Sequence, residues 1–268
     1  MALSVTSNFS VSAGYASNNM RTSQTLMGKS INRISSGHKA VNPADDIVSY
    51  VGGMKLKSDS KGYEMLSTGV QNAGARLNMM DSVLSDVENG LLDLKGQVIA
   101  YNSTTDQEEQ NALSNAASNT IQAIKTAMKT ASYKNATAFN ASALNIYYDP
   151  NGTSHLTISS SVMQYPTAVT GLGSTLSAIT LTSIKSAINA LADSRAQIGG
   201  NISALEQISN YLSDMATSAD AAYTAVTEVD MAREMTSYVK NNIQSQAAQA
   251  MVAQSNQSLA QVLNLLQV

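Results

Sequence analysis

What most restricts this chain is an apolar seam in its first half. After Leu56, the residues Tyr63, Leu66, Val70, Ala73, Leu77, Met80, Leu84, Val87, Leu91, Leu94, Val98 and Tyr101 follow one another at alternating steps of three and four. That period, close to 3.5 residues, aligns them along one edge of an α-helix, and such an edge leaves water only against a partner helix. Pro43 followed by Asp45 and Asp46 supplies a start, with acids at the positive end of the helix dipole, and Asn102-Ser103-Thr104 supplies an end. The span corresponds to a rod of about 80 Å at ~1.5 Å per residue, too long for the interior of a compact domain built from 268 residues.

Partners for that edge follow in the sequence. Thr105 and Glu108 have capping-box spacing, and Leu113, Ala117, Ile121, Ile124 and Met128 form the stripe of a second helix folded back on the first. A third stripe runs through Ile184, Ile188, Leu191, Ile198, Ile202, Leu205, Leu212, Ala216, Ala219, Tyr223 and Val226, interrupted by Arg195 and Ser209. Between the second and third helices, two β-prone runs at 145–148 and 155–158 flank Asp149-Pro150-Asn151-Gly152, which predicts one β-hairpin. The Ser/Thr/Gly-rich run from Ser159 to Ser183 is expected to be a surface loop. The expected fold is mainly α: a long helical-bundle or coiled-coil rod with one β-hairpin, plus paired terminal helices.

Both ends of the chain lack charge. No Asp, Glu, Lys or Arg occurs in Asn241–Val268 or in Met1–Met20, and only 13% of all residues are charged. Near the C-terminus a stripe recurs every four residues at Met231, Met235, Val239, Ile243, Ala247 and Met251, and continues in Leu259, Val262, Leu263 and Leu266. Phe9, Ala13, Ala16, Met20, Met27, Ile31 and Ile34 form a matching stripe at the other end, so the two ends are expected to pair. Gln, Asn and Ser interrupt both stripes well short of the roughly 20 apolar residues a membrane-spanning helix needs, and no membrane insertion is expected. A net charge of −3 and a pI near 5.3 leave no basic footprint for nucleic acid. The absence of Cys removes disulfides, thiolate metal sites and a Cys nucleophile. The first residues show neither a basic n-region nor a continuous apolar h-region, so no Sec-type signal is visible.

No catalytic or cofactor constellation emerges. His38 and His155 stand far apart without clustered acids, and no H-E-x-x-H, G-x-S-x-G or Walker pattern occurs. Gly171-Leu172-Gly173 and Gly199-Gly200 lack the strand-glycine-helix context of a nucleotide loop. Asp45-Asp46 beside Pro43 fit a helix cap better than a pair of catalytic carboxylates, and the 13 methionines fall largely on helix stripes as core filling. No enzymatic activity, cofactor or metal is expected.

The motifs at the two ends are more specific. Ile31-Asn32-Arg33-Ile34-Ser35-Ser36-Gly37, then Lys39 and Asp45-Asp46, resembles the signature near the start of bacterial flagellins. Asp230-Met231-Ala232-Arg233-Glu234-Met235, the run from Gln246 to Gln257, and Val262-Leu263-Asn264-Leu265-Leu266 are similar to the flagellin C-terminus. Arg195 with Gly199, and Ala138-Phe139-Asn140, also resemble family landmarks; the likeness covers roughly residues 1–140 and 185–268.

The resemblance implies a filament-core domain made of residues 1–44 and 224–268 and a helical rod domain of residues 45–223, without large outer domains. It implies a self-assembly set on the terminal helices (Phe9, Met20, Met27, Ile31, Ile34, Met231, Met235, Val239, Ile243, Met251, Leu259, Val262, Leu263, Leu266) that packs on neighbouring subunits around a central channel. A spoke is implied around Asn32, Ser35, Ser36, Gly37, Asp45 and Asp46. The implied function is that of a structural subunit self-assembling into the extracellular flagellar filament for swimming motility, exported by the flagellar type III route without a cleaved Sec signal. Its implied partners are further copies of itself, the export apparatus and an export chaperone, the filament cap and hook-associated proteins, with no nucleic acid. A hook-filament junction protein or a secreted coiled-coil effector are the rival readings, and growth of long filaments from the chain alone separates them. The chain departs from the family pattern at Ile47-Val48, where a small residue usually follows the acid pair, at Ala225 in place of an arginine, and at Leu259 in place of a proline. A further departure falls on the rod patch read by the vertebrate flagellin receptor: in Leu92-Asp93-Leu94-Lys95-Gly96, Asp93 replaces a basic residue, and weak recognition is expected.

Overall fold

The apolar seam is buried over most of its length. In the computed structural model of the chain, residues 2–139, 142–173 and 176–266 are described, with the side chains at 2–10, 12, 259 and 262–266 outside that description. The elements run α1 (Ala2–Ser36), α2 (Ile47–Ser103), α3 (Gln107–Thr130), β1 (Ser132–Tyr133), β2 (Ala136–Thr137), β3 (Leu144–Tyr147), β4 (His155–Ile158), α4 (Thr167–Thr170), a 3₁₀ turn (Leu176–Ala178), α5 (Leu181–Thr227) and α6 (Met231–Leu266). The chain is mainly α and divides into two compact units, Met1–Ser58 with Ala219–Val268, and Asp59–Ser218.

In the second unit, α2 buries Val70, Leu77, Met80, Leu84, Val87, Leu91, Leu94 and Val98 against Ala117, Ile121, Ile124 and Met128 of α3 and Ile184, Leu191, Ile198, Leu205 and Leu212 of α5. Each stripe has the heptad-like spacing read from the sequence, so three helices close one core. Gly90 allows α2 to approach α3 closely: a Cβ built there would lie 2.8 Å from Cγ1 of Ile124. Arg195 breaks the α5 stripe for a reason. Its Nε donates to Asp81 Oδ1 at 2.8 Å and its Nη1 to Glu88 Oε2 at 2.5 Å, tying α5 to two acids of α2 that lie two turns apart. The hydrogen bond it donates to Asp81, then that to Glu88, holds the guanidinium above its ordinary pKa.

Local signals placed the α3 start one residue away from where it lies. The cap is Asp106, in extended conformation, whose carboxylate accepts from the Glu108 backbone N–H at 2.9 Å, while the Thr104 hydroxyl donates to Glu109 Oε2 at 2.5 Å. A carboxylate serves this position better than the Thr105 hydroxyl because it carries the charge that the helix dipole favours.

The hairpin read at 145–158 is present, with Leu144 opposite Ile158 and Tyr147 opposite His155. Gly152 closes its turn at φ 70°, and its N–H donates to the Asp149 carbonyl at 2.9 Å. A second two-stranded ladder, β1–β2, was not expected. Its turn is Lys134-Asn135, both at positive φ (49° and 63°), the geometry of a two-residue primed turn in which Asn is the favoured non-glycine residue.

The run from Ser159 to Ser183 is not the expected surface loop. Val162, Met163, Val169, Leu172, Leu176 and Ile179 are all buried in the core of the second unit, with α4 and the 3₁₀ turn between them. Hydroxyls at its surface bond to local backbone: Thr170 Oγ1 donates to the Thr167 carbonyl, and Thr180 Oγ1 accepts from the Ser183 N–H at 3.1 Å to start α5. The apolar residues recur at irregular steps, which hides them from any test of period.

Candidate assembly surface

The first unit is built on α1 and α6, which run antiparallel: Ala16 and Ala248 are buried in the pair, and Arg33 lies 3.8 Å from Glu234 where α1 ends and α6 begins. The side chains that fill the seam are small. Ala16, Ser23 and Ser30 recur every seven residues on α1 and meet a seam containing Ser245, Ala248 and Ser255 on α6. Small residues let two helices approach closely along a narrow line; on α1 they alternate with the half-buried Met20, Met27 and Ile34 of the expected stripe, whereas on α6 the seam lies off the expected four-step stripe.

The consequence is that the four-step stripe of α6 is left outside. Met231, Met235, Val239, Ile243 and Met251 are 46, 50, 50, 61 and 62% exposed. Residues four apart form the ridge that a helix presents to the groove of a second helix, so this is packing geometry without an occupant in the single chain. Met235, Val239 and Ile243 line an open apolar hollow bordered by Thr236, Lys240 and Gln244. A second hollow lies between α1 and α6, with Tyr15, Leu26, Ala248 and Met251 on its walls. On α1, Ile31 is exposed, while Met20, Met27 and Ile34 are half-buried. The side chains of Phe9, Leu259, Val262, Leu263 and Leu266 lie outside the described residues.

The sequence reading missed part of this surface. Val11, Tyr15 and Leu26 of α1, Val41, and Ile47, Val48, Val51 and Met54 at the start of α2 are also exposed. Among the described residues, most exposed large apolar side chains therefore belong to the first unit; the second exposes Met65, Leu92, Ile99, Tyr147, Leu181 and Tyr211. The signal that could have found the α2 group was Ile47-Val48 itself, two apolar residues directly after a cap.

The segment between α1 and α2 is fixed by backbone pairing. Gly37, at φ 75°, ends α1 and donates to the Arg33 carbonyl at 2.8 Å; His38 then pairs antiparallel with Glu228, with Lys39 N–H donating to the Thr227 carbonyl and Val229 N–H to that of Gly37. Gly53 of α2 lies against Thr227 and Tyr223 of α5, where a side chain would have no room. Asp46 caps α2, accepting from the backbone N–H groups of Val48 and Ser49 at 3.0 and 3.1 Å and from the Ser49 hydroxyl at 2.7 Å. The Ser49 hydroxyl is the largest cause holding the Asp46 carboxyl below its ordinary pKa. The Asp45 carboxylate accepts from Asn42 N–H, Ser36 Oγ accepts from His38 N–H, and Asn32 and Ser35 are exposed. In the second unit Asp93, Lys95 and Gly96 are exposed on α2, each next to a buried seam residue or one removed from it.

Among the described residues there is no group of three or more His, Asp or Glu placed to hold a metal ion, and no helix long and apolar enough to cross a membrane.

Comparison with known proteins gives two family matches. The bacterial flagellin N-terminal helical region matches residues 8–143, and the bacterial flagellin C-terminal helical region matches residues 181–266. The chain is similar to a putative flagellin, YvzB, of Bacillus subtilis (strain 168), at 45% identity over 86 residues, 32% of this chain and 54% of that protein. It is also similar to a flagellin of the same strain, at 45% identity over 83 residues covering 31% of this chain and 27% of that one. A flagellin of Halalkalibacterium halodurans is 23% identical over 274 residues, covering 97% of this chain and 98% of the relative. The matched stretch thus spans about half the length of the first of these relatives and about a quarter of the second.

Proposed function

Because the chain belongs to the bacterial flagellin family, we propose that it is a structural subunit that self-assembles into a flagellar filament. The observation that carries this reading is the exposed ridge Met231, Met235, Val239, Ile243 and Met251 on a helix already paired with α1 through small residues. Leaving such a ridge in water forgoes about 25 cal/mol for each Å² of apolar surface, and a second copy offering the same helix pair removes that cost in every subunit of a filament. The lack of charge from Asn241 to Val268 suits the same arrangement, since a charge buried without a partner would recur at each subunit, whereas Gln, Asn and Ser can hydrogen-bond to one another.

On this reading the role is mechanical and not catalytic. The filament lies outside the cell, the chain reaches it by the flagellar export route, and an export chaperone, the filament cap and hook-associated proteins meet it on the way. The terminal helices make the filament core, the segment around Ser35 to Asp46 makes the spoke, and residues 45–223 make the rod. The test is assembly of the purified chain. Heat-depolymerised and cooled protein should regrow long filaments by negative-stain microscopy, and a chain lacking residues 241–268 should keep the helices and thermal transition of Asp59–Ser218 yet form none. Normal filaments from the truncated chain would refute the assignment of the core to the terminal helices.

A further inference from the structure

The α6 ridge is rich in methionine, and methionine is an apolar side chain that a mild oxidant makes polar without breaking the chain. We propose that Met231, Met235 and Met251 form an oxidation-sensitive set: hydroperoxides convert them to sulfoxides in the free chain and so block its association, while association shields them. The inference rests on the reading of this ridge as the self-association surface.

Three observations carry it. The three thioethers are about half exposed, and two of them line surface hollows, Met235 an apolar one beside Val239 and Ile243 and Met251 a mixed one beside Tyr15 and Leu26. Met80, Met128 and Met163 are buried to 3% exposure or less, and Met65 is exposed on the other unit, off the ridge, so the chain contains its own protected and accessible controls. With no Cys in the sequence, no thiolate competes for the oxidant.

The chemistry closes without a further reagent. The thioether sulfur attacks the terminal peroxide oxygen, an S–O bond forms as the O–O bond breaks, sulfur gives up two electrons, and the other peroxide oxygen leaves and takes up a proton, as water from hydrogen peroxide or an alcohol from an organic hydroperoxide. The product is a polar, chiral hydrogen-bond acceptor on a ridge shaped for apolar packing, and burying it without a donor disfavours the contact.

Graded hydrogen peroxide treatment of the full chain, free and assembled, tests this, with sulfoxides located by peptide mass spectrometry and critical concentration measured by sedimentation. In the free chain Met54, Met65, Met231, Met235 and Met251 should oxidise first and Met80, Met128 and Met163 last. In filaments Met65 should stay reactive while the ridge methionines become protected. Oxidation of the free chain should raise its critical concentration about tenfold or more. A Met231→Leu, Met235→Leu, Met251→Leu chain, compared with its own untreated sample, should keep its critical concentration after the same treatment, whereas Met65→Leu should give no protection. If the fully oxidised parent polymerises like the untreated one, or the triple leucine chain is inhibited as strongly as the parent, the inference is overturned while the filament reading stands. An untreated chain that never polymerises overturns both.

Discussion

At Asp46, one carboxylate does the work of a helix start, and its charge makes that start dependent on pH. Because its folded-state pKa is depressed, chiefly by the Ser49 hydroxyl, the cap is fully present above the ordinary carboxylate pKa of about 4 and is lost as pH falls through the lower folded value. Amide exchange at Val48 and Ser49 should therefore be faster in Asp46→Ala than in the parent at neutral pH and equal in the two chains at strongly acid pH. A difference that persists in acid would show that the backbone there is held by something else. Asp93 poses a different question on the same helix. It lies on the exposed face between the fully buried Leu91 and Leu94, so its charge is presented to any partner that covers this side of α2. If the family's receptor patch includes this position, an acid offers an acceptor where a donor fork is expected, and a mismatched charge in a closed contact can cost about 2–5 kcal/mol. A reporter-cell titration should give weak stimulation that rises in Asp93→Arg; potency within about threefold of a strong agonist flagellin, or no gain in the arginine chain, would count against it.

Among the elements, regular period decided what could be read in advance. The α2, α3 and α5 stripes were legible residue by residue because a bundle core repeats the same geometry at each turn, and the β3–β4 hairpin was legible because Asp149-Pro150-Asn151-Gly152 has turn chemistry of its own. The segment 159–183 was not, since Val162, Met163, Val169, Leu172, Leu176 and Ile179 enter the core from turns and short helices that share no period. Met163 is completely buried there, so Met163→Ala should destabilise the second unit by about 2–5 kcal/mol in chemical denaturation; a loss below about 0.5 kcal/mol would restore the surface-loop reading. The α1–α6 seam was hidden for another reason. Ser23, Ser30, Ser245 and Ser255 count as polar in any hydrophobic pattern, yet small size and not hydrophobicity is what a close helix crossing selects. Looking for large apolar residues picked out the α6 ridge as the face toward α1, whereas in the single chain that ridge is exposed.

For the molecule as a whole, the two units stand in different relations to water. Asp59–Ser218 closes its own core, whereas the unit formed by the two ends keeps an apolar ridge exposed. On the proposed function, a chain built this way is folded but incomplete as a monomer, and filament formation completes it. The measurement that tests this most directly is the critical concentration for polymerisation of Ile243→Glu beside the parent. Ile243 is 61% exposed in the single chain, so the substitution should leave the monomer's helix content and unfolding transition unchanged. In the filament the same carboxylate would be buried at every subunit, and a penalty of ~3 kcal/mol should raise the critical concentration more than a hundredfold. Filaments of normal length growing from Ile243→Glu at the parent's critical concentration would place this face in open solvent and contradict the account.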